Sequence, residues 1–266
     1  RKTITMLELE EGIMRVIAGP EKKTRLLSDK ERLITAYHEM GHAIVGHLLP
    51  NCDPVHKISV ISRGQALGYT ISMPSEDKFL TTKAALMDTM AMTLGGRAAE
   101  ELVFNEVTTG ASNDLEKVTA TAKAMIMRYG MSDKLGPRTL GRSHDQPFLG
   151  REFAQEADYS QEIAREIDDE IRRIIEDAHE AAREVLSSNM EDLHRISRIL
   201  NERETIDRAQ FLRLLEGEAE ESVWPPEPEP TPAPVEQPER PVGAKTARGL
   251  GLGLPRGPET TPGASA

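Results

Sequence analysis

Ser28-Asp29-Lys30-Glu31-Arg32-Leu33-Ile34-Thr35-Ala36-Tyr37-His38-Glu39-Met40-Gly41-His42-Ala43-Ile44-Val45-Gly46-His47-Leu48-Leu49-Pro50 is the stretch from which the rest of the chain is read. It opens with a capping box: Ser at the N-cap and Glu three residues on each satisfy a free backbone N–H. It closes at Pro50, which cannot continue a helix. The helix predicted between these signals carries His38 and His42 four residues apart. Four steps of about 100° bring the two imidazoles to within about 40° on one face, one turn apart.

Both rings can then reach one metal ion at about 2.0–2.1 Å. Glu39 stands about 100° around the helix, near the ligand face but not on it. It can reach a water beside the ion without binding the ion, as a general base must. His-Glu-x-x-His on a helix is a zinc-peptidase signature. The bland alternative is two core histidines bonded to neighbouring carbonyls. Ile34, Val45 and Leu49 share their side of the helix, and two unliganded His and a Glu there would carry a desolvation cost. The metal reading is therefore preferred.

Two His leave such a site one protein ligand short, because catalytic zinc takes three plus water. Candidates are Glu100, Glu101 and Asp114, with His56 and His144 behind them. Glu100 and Glu101 lie on a predicted helix, Thr82–Phe104, as the third ligand does in the thermolysin-like arrangement. Asp114 falls in the first turn of another predicted helix, Ser112–Tyr129, where Asp also serves to cap the helix and balance its dipole. Spacing alone does not choose between them. Gly95-Gly96 interrupts the Thr82–Phe104 helix, and adjacent glycines survive best where another backbone must come close.

Composition sets the frame. The 266 residues allow one or two domains. Aromatics are 4% of the chain against 11 Met, so the core must be aliphatic and Met-rich, which suits packed helices. The net charge of −11 argues against a nucleic-acid-binding domain. A single cysteine, Cys52, excludes a disulfide framework or a Cys-rich zinc ribbon and fits a reducing compartment. No apolar run approaches the ~18–20 residues of a membrane span, and no signal peptide is visible. The chain starts at Arg1 rather than Met, so it is expected to be a piece of a longer protein.

Residues 5–17 read as a short helix ending at Gly19-Pro20 and a basic linker. Val55–Ser62 and Gln65–Met73 are β-rich, and Arg63-Gly64 between them predicts a hairpin. Residues 131–155 read as a loop. The acidic character belongs to residues 151–222, which hold 10 basic and 21 acidic side chains. There Ile163, Ile167, Ile171, Ile174, Ile175 and Ala178 recur at helical steps, with Glu162–Arg165 and Glu180–Arg183 on other faces. This predicts a solvated helical hairpin packed on the rest. Eleven of 17 prolines lie between Pro225 and Ala266, so the tail is expected to be disordered.

Three motifs in order now define a resemblance. Tyr37-His38-Glu39-Met40-Gly41-His42-Ala43, Gly95-Gly96-Arg97-Ala98-Ala99-Glu100-Glu101 and Thr109-Gly110-Ala111-Ser112-Asn113-Asp114-Leu115 closely resemble the FtsH family of membrane-anchored, ATP-dependent zinc metalloproteases. The opening Val16-Ile17-Ala18-Gly19-Pro20-Glu21-Lys22-Lys23 looks like that family's join between ATPase lid and protease domain. The resemblance spans about residues 5–215; Met40 departs from the family's usual Ala, at a position that needs no ligand chemistry.

The resemblance implies that Asp114 is the third ligand and that Glu100 and Glu101 are structural. It implies a mostly helical protease domain; with the small β-hairpin, the acidic C-terminal helical segment and the disordered Pro-rich tail read from the residues, the fold expected is mainly α, and the tail matches nothing in the family. The divisions expected are lid and linker over 1–25, zinc peptidase core over 26–150, acidic helical part over 151–222 and tail over 223–266. It also implies one Zn²⁺ per chain, with Glu39 as catalytic base, polypeptide substrates and a homo-oligomeric, hexameric parent at the bacterial cell membrane. The peptidase domain would face the cytoplasm. Because no Gly-x-x-x-x-Gly-Lys-Ser/Thr loop occurs, ATP and membrane contact are expected only in parts outside this chain. A rival of another class is a helical adaptor without peptidase activity.

Overall fold

The computed structural model describes residues 4–17, 19–22, 27–74, 76–141 and 159–225. The Pro-rich tail beyond Pro225, His144 and most of the 131–155 stretch lie outside the described residues. Helix α1 is Met6–Ile17, α2 Asp29–Leu48, α3 Lys83–Phe104, α4 Ser112–Met127, α5 Gln161–Ser188, α6 Met190–Arg203, α7 Arg208–Leu215 and α8 Glu220–Val223. Strands β1, β2 and β3 are Val55–Ser59, Tyr69–Ser72 and Thr205–Asp207. No described helix is long and apolar enough to cross a membrane.

Helix α2 begins as its sequence requires. The Ser28 hydroxyl accepts from the Glu31 N–H, and the Glu31 carboxylate accepts from the Ser28 N–H at 2.9 Å. From Thr35 to Gly46 every residue is buried. The reason is that α3, α5, α6 and the sheet all pack against this one helix. The predicted amphipathic stripe thus describes only its first turns. The core around it is aliphatic and Met-rich, with Met40, Met90 and Met125 fully buried.

The Gly95-Gly96 pair has the role its sequence suggested. A Cβ built on Gly41 would lie 2.3 Å from the Gly95 carbonyl oxygen, and one built on Gly95 would lie 2.6 Å from the Gly41 carbonyl oxygen. Only hydrogen on both Cα atoms lets α2 and α3 cross this closely.

The predicted hairpin is present, β1 pairing antiparallel with β2, and a third strand extends it to a sheet of order β2-β1-β3. The third strand comes from Thr205–Asp207, where Ile206 pairs with Ile58. The strands are also shorter than predicted: the tight turn lies at Arg63–Ala66, whose backbones exchange both hydrogen bonds, but residues on either side of it leave the ladder and form a loop. Buried Arg63 anchors that loop by a two-pronged bond to Glu11 of α1, at 2.7 and 3.1 Å. The loop also takes up the chain after α1: Gly64 donates to the Pro20 carbonyl and Lys22 to the Ser62 carbonyl.

The acidic segment is helical, with Ile167, Ile174, Ala178, Ala182 and Leu186 along the buried stripe of α5. Its two long helices do not pair along their lengths. α5 lies against α3 and α4, while α6 lies against α2, each apolar face meeting a different part of the core. α4 ends at Met127, before the predicted Tyr129, and Gly130 takes the left-handed conformation that follows the end (φ 59°).

The crossing yields a stability prediction. Gly41→Ala should lower unfolding free energy by about 3 kcal/mol or more, because overpacking here meets backbone rather than a movable side chain. A wild-type urea midpoint for this variant would contradict the packing described.

Candidate metal centre

Three elements bring three side chains together. α2 supplies His38 and His42, and the first turn of α4 supplies Asp114. A 3₁₀ turn, Thr109–Ala111, leads directly into α4 and so aims that first turn inward. The two Nε2 atoms are 3.1 Å apart, and Asp114 Oδ2 lies 3.4 Å from His38 Nε2 and 3.5 Å from His42 Nε2. Ligands at about 2.0–2.1 Å on a tetrahedron stand about 3.3 Å from one another. The triangle therefore fits three corners of a tetrahedral ion, and the two-nitrogen, one-oxygen donor set suits zinc. Among the described residues this is the one group of His, Cys, Asp and Glu so placed.

The other nitrogen of each imidazole is spoken for. His38 Nδ1 meets Glu100 Oε1 at 2.7 Å, and His42 Nδ1 meets the Met92 carbonyl at 2.9 Å. With Nδ1–H donating in both rings, both Nε2 atoms face the centre, where a neutral ring offers its lone pair. Glu100 is itself held, accepting from the Thr108 N–H at 2.6 Å and hydroxyl at 3.2 Å. The second oxygen of Asp114, Oδ1, lies 3.4 Å from Lys117 Nζ. Gly96 lies directly behind the rings, since a Cβ there would be 2.6 Å from Nε2 of both histidines.

The remaining candidates fall elsewhere. Glu101 faces α5, with Arg97 at 3.1 Å, His179 at 3.1 Å and Arg183 at 3.5 Å. His56 sits on β1 and is not among the three. Glu100 is close, but as a partner of His38 rather than a member of the triangle. Sequence reasoning did not find the Met92 carbonyl or the Thr108 clamp. Their signal is the spacing of 92, 96 and 100, four residues apart on one face of α3.

Electrostatics follow from burial and pairing. Burial alone would lower the His38 pKa, but hydrogen bonds to Asp114 and Glu100 outweigh it and raise it to about 10. Burial would raise Asp114, yet its bonds to His38 and His42 hold it well below the usual carboxylate range. Glu39 is buried beside them, and burial pushes its pKa up against the pull of His42, His38 and the Thr70 hydroxyl. An elevated carboxyl pKa suits a group that must take and return a proton near neutrality.

A buried His-Glu-x-x-His pair closed by a carboxylate from a neighbouring helix is the centre of a mononuclear metallopeptidase. The family comparison agrees: residues 25–214 match peptidase family M41, and the chain belongs to that family. It is 70% identical over 224 residues to ATP-dependent zinc metalloprotease FtsH 1 of Conexibacter woesei, covering 84% of this chain and 34% of that protein. It is 54% identical over 216 residues to ATP-dependent zinc metalloprotease FtsH of Rubrobacter xylanophilus, covering 81% and 33%. It is 47% identical over 238 residues to FtsH 1 of Sphaerobacter thermophilus, covering 90% and 36%. The chain spans about a third of the length of these curated relatives.

Metal uptake should be linked to protons. With His38 protonated below about pH 10, binding one ion at pH 7 should release about one proton. Apparent affinity should then rise about tenfold per unit between about pH 6 and 8. Calorimetry in buffers of different ionisation enthalpy measures the release, and a value near zero would mean His38 is already neutral.

Proposed function

We propose that this chain is the zinc-dependent endopeptidase part of a longer ATP-dependent protease that degrades unfolded, misassembled or membrane polypeptides. The observation that carries it is the tetrahedral spacing of His38, His42 and Asp114 with buried Glu39 alongside. His38, His42 and Asp114 are the proposed ligands of one Zn²⁺. When bound, zinc supplies Lewis-acid polarisation of the scissile carbonyl and lowers the pKa of the attacking water.

The chain's own residues do the rest. Glu39 accepts a proton from the attacking water and returns it to the leaving amine. Glu100 and the Met92 carbonyl fix the imidazoles so that neither ring turns away. β2 is an edge strand, and Thr70 upon it touches Glu39. A polypeptide added along that edge would run past the base in extended form.

The wider assembly belongs to the same proposal. Residues 1–25 would end an ATPase lid, 26–150 form the peptidase core, 151–222 its acidic helical part and 223–266 a tail. The relatives' names say ATP-dependent, and ATP use is assigned to sequence of theirs that this chain does not cover. A hexameric ring on the cytoplasmic face of a bacterial membrane is the assembly that the resemblance suggests.

The test separates metal binding from chemistry. Glu39→Gln should keep about one zinc per chain yet hydrolyse an unfolded polypeptide about 10²–10⁴-fold more slowly. Asp114→Ala should lose most zinc, and Glu101→Ala should keep it. Zinc retained in Asp114→Ala but lost in Glu101→Ala would overturn the ligand set. Undiminished turnover in Glu39→Gln would overturn the base.

A further inference from the structure

Gly68 immediately precedes β2 and Thr70 lies within it. Both face Glu39. A Cβ on Gly68 would lie 2.9 Å from Glu39 Cγ, 2.8 Å from Thr35 Cγ2 and 2.8 Å from the Ser59 carbonyl oxygen. Bare backbone thus closes over the aliphatic part of the Glu39 side chain. One step on, the Thr70 hydroxyl reaches the carboxylate, at 2.8 Å from Oε2. The same hydroxyl lies 2.9 Å from the Glu39 backbone carbonyl.

We propose that Thr70 is a positioning residue for the base, its hydroxyl holding Glu39 Oε2 so that the other carboxylate oxygen is presented for proton transfer. The inference rests on the reading of Glu39 as general base. A buried carboxylate without a donor would swing or draw in solvent to meet its hydrogen-bonding need. Thr70 supplies a donor from a different layer of the structure, the sheet, so the carboxylate is fixed between α2 and β2. The β-branched side chain has few χ1 choices and delivers the hydroxyl without a large loss of rotamer freedom.

The hydroxyl carries one hydrogen and faces two acceptors. An ionised carboxylate is the stronger acceptor, so the hydrogen points to Oε2 while Glu39 awaits a proton.

The experiment uses the zinc-loaded chain, an unfolded polypeptide substrate, and Thr70→Val, Thr70→Ser and Thr70→Ala. Val keeps the branched shape and removes the hydroxyl; Ser keeps the hydroxyl. Thr70→Val should lose about 10–100-fold in kcat with KM within about twofold, as expected when an interaction of the chemical step is removed. Its zinc content should match wild type, and its Tm should fall by no more than several degrees. Thr70→Ser should stay within about threefold of wild-type kcat. Unchanged kcat in Thr70→Val, a change in KM alone, loss of zinc, or equal losses in Thr70→Ser and Thr70→Val would each overturn the proposal. Should Thr70→Val fail to fold, the Ser and Ala variants differ by one oxygen and decide the matter by the same comparison.

A second readout needs no turnover. The ¹³C resonance of the Glu39 carboxyl, assigned by its loss in Glu39→Gln, should shift in Thr70→Val and return in Thr70→Ser. An unmoved resonance overturns the contact. If wild type cleaves nothing, the peptidase reading fails, and this resonance alone decides whether Thr70 holds the carboxylate.

Discussion

The backbone contact between α2 and α3 at Gly41 and Gly95 sets the dimensions of the site. Once the helices cross that closely, the α3 positions one turn apart along the contact face meet the histidines in turn. Met92 presents its carbonyl to His42, Gly96 leaves room behind both rings, and Glu100 reaches His38. A wider crossing would carry all three away from the histidines. The missing side chains at 41, 95 and 96 are therefore as much part of the centre as the ligands are.

Such a centre has to be stable before any ion enters it. Two imidazoles and two or three carboxylates in a buried space would be costly if each were left to itself. The arrangement solves this by pairing: His38 sits between Glu100 at Nδ1 and Asp114 at Nε2, and both carboxylates favour its charged form. A divalent ion in place of the Nε2 proton would add one net positive charge beside the carboxylates. The outer partners lie on the Nδ1 side, away from that exchange.

Much of this was legible before the fold was known. The Ser28–Glu31 box announced α2, the periodic Ile residues announced α5, and Gly95-Gly96 announced a close backbone approach. Asp114 was harder to read. A first-turn Asp looks the same in sequence whether it caps a helix or faces a neighbour across the core, and only the resemblance favoured it. β3 could not be read at all: three residues between two charged helices carry too little pattern, and Ile206 is buried only because β1 happens to lie beside it. The Arg63-Gly64 turn was read, but not the second role of its arginine. Arg63 is an interior anchor bonded to Glu11, and no local rule foretells a buried arginine whose partner lies 52 residues away.

The layers of the molecule divide the chemistry between them. α2, α3 and α4 hold the three side chains proposed as metal ligands and the partners of the two histidines, whereas the hydroxyl partner of Glu39 comes from β2. The proposed base and two of the proposed ligands thus share a helix but answer to different neighbours. No strand contributes to the triangle of His38, His42 and Asp114. The loop that joins β1 to β2 is tied through Arg63 to α1, and through Gly64 and Ser62 to residues 20–22, so the chain that precedes α2 bears on the strand that meets the base. In physical terms, helix packing sets the triangle of His38, His42 and Asp114, and the position of the sheet edge sets the hydrogen bond to the Glu39 carboxylate.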